Sequence, residues 1–380
     1  MTLPVPLPGD DTVLLVPPDA DETAFVARGV VSAVAPAAGL TQLQDVLLRA
    51  FFESMTGHPI EPATAEPIDA AEFAAGMARR NLAFRTRVVQ VMLLAELILR
   101  PLPADVADRV GQFAAELGVD DDILVVAQEY AAGSLELASA DFARNGYLAS
   151  IGPERLHALH TAALEDSWGQ VVDDPQLAGR WRSLGELPVG TLGRGVFDFY
   201  RDRGFVFPGL AGSAPPLLAQ HDWVHVLAGY GTTLESELEV FGYISRANDD
   251  PRAFSLLAMV VSLFETGYLA SGAGLFQADA GHLHSSGMAV RLADAMRRGA
   301  LTQGSHDFLD LDWFDRADRP IDVMRAEVGL VPKSSTALAA GSAGPWEPGG
   351  ISDWQLSAAR DQAEADGRQF VPWRPDPARA

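Results

Sequence analysis

From Gln42 the apolar residues recur at three- and four-residue steps. Leu43, Val46, Leu47, Ala50 and Phe51 fall on one stripe, and this spacing predicts an amphipathic helix. The same period predicts further helices over about 69–83, 84–99, 103–118 and 120–138. Their limits carry stop and start signals: Pro101 and Pro103 end one, Gly118 ends the next, and Asp120, Asp121 and Asp122 put negative charge on the first turn of the last. Residues 1–40 are rich in Pro, Val and Ala with weak periodicity, and read as a leader.

A second helical body is expected from 151 to 332. Pro188-Val189-Gly190-Thr191-Leu192-Gly193 reads as a turn, with Thr191 as N-cap of a helix reaching about Arg203. Ser213 with Pro215 and Pro216 opens another, and Gly229 closes it. Thr232 and Glu235 have capping-box spacing for a third helix, running to about Ser245; Asn248–Pro251 separates it from a fourth over 252–270. Helices are also predicted over 288–298 and 320–328. No sustained strict alternation occurs, and no Asn-Gly or Asp-Gly pair joins strand-like runs. The expected fold is therefore all-α: a multi-helix bundle with a leader (1–40), two helical domains (41–150 and 151–332) and an irregular Pro/Gly-rich tail (333–380). One helix is expected in the tail near 352–366, and Trp346, Trp354 and Trp373 imply that the tail docks.

Composition narrows the chemistry. The 380 residues include no cysteine, and all but one of the 28 basic residues are arginine, the exception being Lys333. Disulfides, Cys-type zinc sites, iron–sulfur ligation and thiolate nucleophiles are excluded. A phosphate-binding P-loop needs Gly-Lys-Ser/Thr, but Lys333 follows Pro332. The net charge of −23 speaks against nucleic acid and against electrostatic attachment to anionic lipid. Met1–Asp11 contains three prolines and no basic residue, so no signal peptide is expected. The longest apolar run, Phe254–Phe264, stops at Glu265, about half the ~20 residues of a membrane span. A cytoplasmic protein is expected, with peripheral membrane contact only through apolar surface.

The densest chemical signal is His221-Asp222-Trp223-Val224-His225, followed by Glu237. Four helical residues advance about 400°, so both histidines face nearly the same way and Asp222 completes an arc of about 100°. The short Tyr230–Thr232 connection returns the chain as an antiparallel neighbour. There Leu234, Leu238, Phe241 and Ile244 define an apolar arc that includes Glu237, while Glu235 and Glu239 are expected on the solvated side. A carboxylate aimed into a core is costly unless paired or bound to a cation. His221, Asp222, His225 and Glu237 are thus expected to hold a divalent metal, zinc first, with iron, manganese or magnesium as alternatives.

His-Asp-x-x-His with Glu twelve residues after the second histidine resembles the metal motif of the ubiquinone (coenzyme Q) biosynthesis family acting on the polyprenylated benzoate ring, the fourth of the coenzyme Q proteins. The likeness extends to Gly229, to Gly190-Thr191-Leu192-Gly193-Arg194, to Trp313 and to Val323-Met324-Arg325-Ala326-Glu327-Val328-Gly329-Leu330, covering about 185–332. It implies an all-helical fold, the four metal ligands beside an apolar prenyl-chain groove, and removal of the ring C1 carboxylate coupled to hydroxylation there. The implied partners are a prenylated aromatic small molecule and other quinone-biosynthesis proteins; a homo-oligomer is also expected. Residues 1–150, the tail and a Gly/His-containing insertion near 271–287 depart from the family pattern. Val88–Ile123 also resembles the TerB-like helical modules, although that family's acidic loop is here Leu99-Arg100-Pro101-Leu102-Pro103, and no functional residue is carried over.

Arg194 is a candidate anchor for the substrate carboxylate, set against a helix-surface arginine. His306-Asp307 is similar to the pair of HD phosphohydrolases but lacks placeable partners, and reads as a solvated loop. His282 and His284 read as a surface loop, Gly272-Ala273-Gly274 lacks a preceding strand, and the acids of Asp307–Asp322 form a charged face without the EF-hand glycine. Phe254–Phe264 is expected either to line a prenyl tunnel or to pack in a core. Two functions of different classes follow: a metal-dependent lyase of prenyl-quinone metabolism, and a non-catalytic prenyl-lipid-binding or scaffold protein in which the site pins two helices.

Overall fold

The computed structural model describes residues 18–99, 103–120, 144, 173–214, 216–247, 257, 287–304 and 306–374. Among the described residues the structure is helical, with no strand and one isolated bridge between Thr191 and Pro320. The chain forms two compact units, one drawn from Met1–Leu135 and Phe241–Leu301, the other from Glu136–Val240 and Thr302–Ala380.

In the first unit α1 (Ala20–Val34) starts where the Asp19 side chain accepts the Glu22 amide, and buries Val26, Val30 and Val34. It falls within the expected leader. Its contact face is built from small residues, which flattens the apolar contrast: a Cβ on Gly29 would sit 2.2 Å from the Phe73 ring. α2 (Gln42–Thr56) opens with a Thr41/Gln44 capping box and ends at left-handed Gly57. The buried Gln44 amide donates to the Val34 and Ala95 carbonyls, tying α2 to the end of α1 and to the helix that carries Ala95.

The predicted helix over 69–83 is split. α3 (Ala70–Gly76) passes through a short 3-10 turn, and then the Asn81 side chain captures the Phe84 amide and starts α4 (Leu82–Leu97). α5 (Ala104–Glu116) packs on α1, α3 and α4. The predicted helices over 120–138 and 252–270 lie outside the described residues, save Asp120 and Leu257, as do the resemblance-bearing residues 121–123.

The second unit begins with α6 (Pro175–Ser183), whose Asp174 cap and Pro175 start were not read from the sequence. α7 (Leu192–Arg201) is capped by Thr191 as expected. Its entry turn is held by the Leu192 and Gly193 amides donating to the Arg319 and Ala317 carbonyls, each 2.8 Å. α8 (Pro216–Ala228) packs on α7 and ends at left-handed Gly229. α9 (Leu234–Ala247) follows, and the division between units falls within it, after Val240.

α10 (Met288–Ala300) belongs to the first unit because it lies along α2, with the Ser54 hydroxyl against Met296 Sδ. The compact units therefore differ from the expected blocks 41–150 and 151–332. α11 (Ile321–Glu327) packs on α8.

Beyond it the tail carries α12 (Ser335–Ala339) and α13 (Asp353–Ala365) and is part of the second unit. Trp346 is buried and its indole N–H donates to Asp202, whereas Trp354 and Trp373 stay 43% and 38% exposed. One tryptophan of the three docks the tail.

An aromatic core fills the second unit. Trp223 stacks on Trp313 at 5.8 Å, and Trp181 contacts Tyr200, Trp223 and Phe314 at 5.0–5.7 Å.

Candidate metal centre

α8 and α9 carry the site. Helical spacing puts His221 and His225 one turn apart, and their rings meet edge to face at 5.1 Å. Gly229 supplies the positive φ that stops α8, its amide donating back to the His225 carbonyl. The next helix begins at Thr233, whose hydroxyl oxygen accepts the Ser236 amide. The N-cap expected at Thr232 thus falls on Thr233, because the Thr232 hydroxyl is engaged with Arg203 and Gln355.

Glu237 returns on α9 to face both imidazoles. Its Oε2 is 3.2 Å from His225 Nε2 and 3.4 Å from His221 Nε2, and all three side chains are fully buried. One donor atom from each lies within 4.8 Å of the others. Burial by itself pushes the Glu237 carboxyl up; the adjacent His225 and His221 outweigh that and hold it below the usual carboxylate range.

The two imidazoles are held from behind. The Leu218 carbonyl accepts the His221 Nδ1 proton at 2.5 Å, which leaves Nε2 for the interior of the group. His225 is stacked on Phe199 at 5.5 Å, and the Arg203 guanidinium covers that ring at 3.8 Å. Glu237 Oε1 accepts no hydrogen bond among the described residues. A buried carboxylate oxygen left this way is costly, and a cation shared with two imidazoles removes the cost, so the donor set fits a divalent metal.

Asp222 stands beside the group. Arg144 grips its carboxylate at both oxygens, 2.7 and 2.8 Å, and the Tyr200 hydroxyl donates to Oδ2. Its nearest approach to a ligand is 3.8 Å from Oδ1 to His221 Nε2. Burial pushes the Asp222 carboxyl up, but Arg144 and His221 bring it below its ordinary value; Tyr200 is pushed well up by burial and by Asp222. Of the four expected ligands the structure gathers three, and it gives Asp222 an arginine and a tyrosine instead. Arg144 is 78 residues away in sequence and no local signal announces it.

Glu239, expected on a solvated side, is buried. The stretch Ser236–Val240 is buried all round, so this part of α9 has no solvent face. Arg194 donates to the Gly185 and Leu187 carbonyls and to Asp198, bonds that hold a turn and reach none of the three donors. His306 bonds the Gln303 carbonyl and Asp307 accepts the Leu309 amide, the local turn contacts of a loop. His282, His284 and Gly272-Ala273-Gly274 lie outside the described residues.

No helix among the described residues is long and apolar enough to cross a membrane. No family model and no curated protein matches this chain.

Proposed function

We propose that the chain is a metal-dependent enzyme whose ion is held by His221, His225 and Glu237. The observation that carries this is the buried group of two imidazoles and one carboxylate converging within 4.8 Å across α8 and α9. Three protein donors suit an open catalytic site, because they leave coordination positions for substrate oxygens. Zinc is the first candidate, and the same donors accept iron or manganese. A bound divalent ion supplies a Lewis acid for a carboxylate or phenolic oxygen of the substrate.

The motif His221-Asp222-x-x-His225 with Glu237 directs the substrate proposal to a polyprenylated hydroxybenzoate. In its simplest form the reaction breaks the bond between ring C1 and the carboxylate carbon, releases carbon dioxide, and places a proton on C1. Around the donors the protein offers aromatic and apolar neighbours, Phe199 against His225 and Leu218 beside His221. These exclude water and strengthen the electrostatics of the ion. Asp222 is held as a carboxylate by its ion pair with Arg144, next in sequence to His221.

The experiment is release of carbon dioxide from a prenylated hydroxybenzoate by the metal-loaded chain. Turnover by the native chain and none by His225→Ala supports the proposal. Metal-independent turnover, or none by a fully loaded native chain, overturns it.

A further inference from the structure

The turn that joins α8 to α9 is gripped by the C-terminal segment. The Gly231 amide donates to the Ala343 carbonyl at 3.1 Å and the Thr232 amide to the Gly350 carbonyl at 2.8 Å. Thr232 and Gln355 bond reciprocally: the Thr232 hydroxyl donates to Gln355 Oε1 at 2.6 Å, and Gln355 Nε2 donates to the Thr232 carbonyl at 3.2 Å. Arg203 joins the same knot, its Nε donating to the Thr232 hydroxyl oxygen at 2.8 Å and Nη2 to the Pro345 carbonyl at 2.6 Å. Arg203, Thr232 and Gln355 are fully buried. The backbones meet so closely that a Cβ on Gly231 would lie 2.4 Å from Gly350 Cα.

This knot has two routes to the ligands. Glu237 donates its amide to the Thr233 carbonyl, so the position of Thr232 and Thr233 sets the start of α9 and with it the Glu237 side chain. Arg203 also lies over Phe199, the ring stacked on His225. A ligand set works only when its geometry is fixed by groups that are themselves locked by packing and hydrogen bonds. Burying three polar side chains at one turn is costly unless every bond is made, and here they are made to the turn between the two ligand-bearing helices.

We propose that Arg203 and Gln355 are positioning residues of the metal centre, acting through Thr232 on the placement of Glu237 and, for Arg203, through Phe199 on the ring of His225. The C-terminal segment 342–355 is in this view a working part of the site. The inference rests on the metal reading above.

The test titrates the full-length chain with cobalt(II) against a competing chelator, reads the visible absorption of the bound ion, and records melting of the metal-free protein. Stoichiometric binding by the native chain that is lost in Glu237→Gln tests the metal reading by itself, and its absence defeats that reading. Given such binding, Thr232→Val is expected to bind cobalt about tenfold to a hundredfold more weakly with an altered spectrum, the range typical of groups that orient ligands. Gln355→Met is expected to behave alike, and Thr232→Ser, which keeps the hydroxyl, to restore affinity and spectrum. Leu184→Ala, a buried change in the same unit that makes none of these bonds, is expected to lower the melting temperature and leave cobalt affinity at the native value. Native affinity in Thr232→Val or in Gln355→Met overturns the proposal. So does a loss in Leu184→Ala equal to that in Thr232→Val at matched stability.

Discussion

His225 Nε2 and Glu237 Oε2 meet at 3.2 Å, twelve residues apart, across a turn that reverses the chain between two helices and in the absence of solvent. His221 Nε2 approaches the same oxygen at 3.4 Å, so a single carboxylate oxygen is shared by two imidazoles. This focus on one atom separates the group from an ordinary buried ion pair. A metal-binding role makes it a weak point of the metal-free protein and a strong point of the loaded one. An ion present at about a hundred times its dissociation constant adds ~2.7 kcal/mol to stability. The expected result is a rise in melting temperature of roughly 5–10 °C on adding zinc, seen in the native chain and absent from Glu237→Gln.

Asp222 and Glu237 are expected to respond differently to substitution. Asp222→Asn breaks a buried ion pair with Arg144 and weakens the bond from the Tyr200 hydroxyl, a loss of about 3–5 kcal/mol. Its effect on zinc affinity is expected to stay within the roughly tenfold to hundredfold typical of groups outside the ligand set, whereas Glu237→Gln exceeds it. Chemical denaturation and metal titration of both variants check the contrast. Equal losses of affinity would make Asp222 a ligand after all.

Glu96, far along the chain from the centre, gives a pH prediction. Burial pushes its carboxyl from the ordinary value up to about 8. The folded state therefore holds a proton that the unfolded chain releases near 4.5. Stability from this residue is complete below about pH 4.5 and declines as pH rises to about 8, by on the order of 5 kcal/mol. Glu96→Gln is expected to remove that decline, so its melting temperature at pH 9 exceeds that of the native chain. Parallel native and variant curves between pH 5 and pH 9 would refute the assignment.

Gly229 carries a φ of 78°, and the nearest atom to a Cβ there would be Arg325 Nη2 at 3.6 Å. Space is available, so the cost of a side chain is the backbone conformation alone. Gly229→Ala is expected to lose about 1–2 kcal/mol and Gly229→Asn less, since Asn tolerates this region. Denaturation midpoints of the two variants test the order.

Much of this was legible in the chain. The 3.6-residue period placed α2 and α5, and cap and turn residues placed α7 and α8, within a few residues, while the His-x-x-x-His spacing with Gly229 and Glu237 located the three donors. What stayed hidden depends on distant residues. α1 hides its periodicity behind small residues chosen for close contact with Phe73. Glu239 could not be assigned from one helix's own apolar arc, because its surroundings bury that stretch on all sides. Asp222 has the right angular position for a ligand, and only the arrival of Arg144 and Tyr200 redirects it. The knot of Arg203, Thr232 and Gln355 spans more than 120 residues and leaves no periodic trace.

On the proposed reading His221, His225 and Glu237 together bind one divalent ion. Elemental analysis of the purified chain and of Glu237→Gln, each after equilibration with zinc and removal of the excess, tests it most directly. Close to one ion per native chain is expected, and essentially none in the variant. A native chain without metal, or a variant that keeps its full complement, would contradict it.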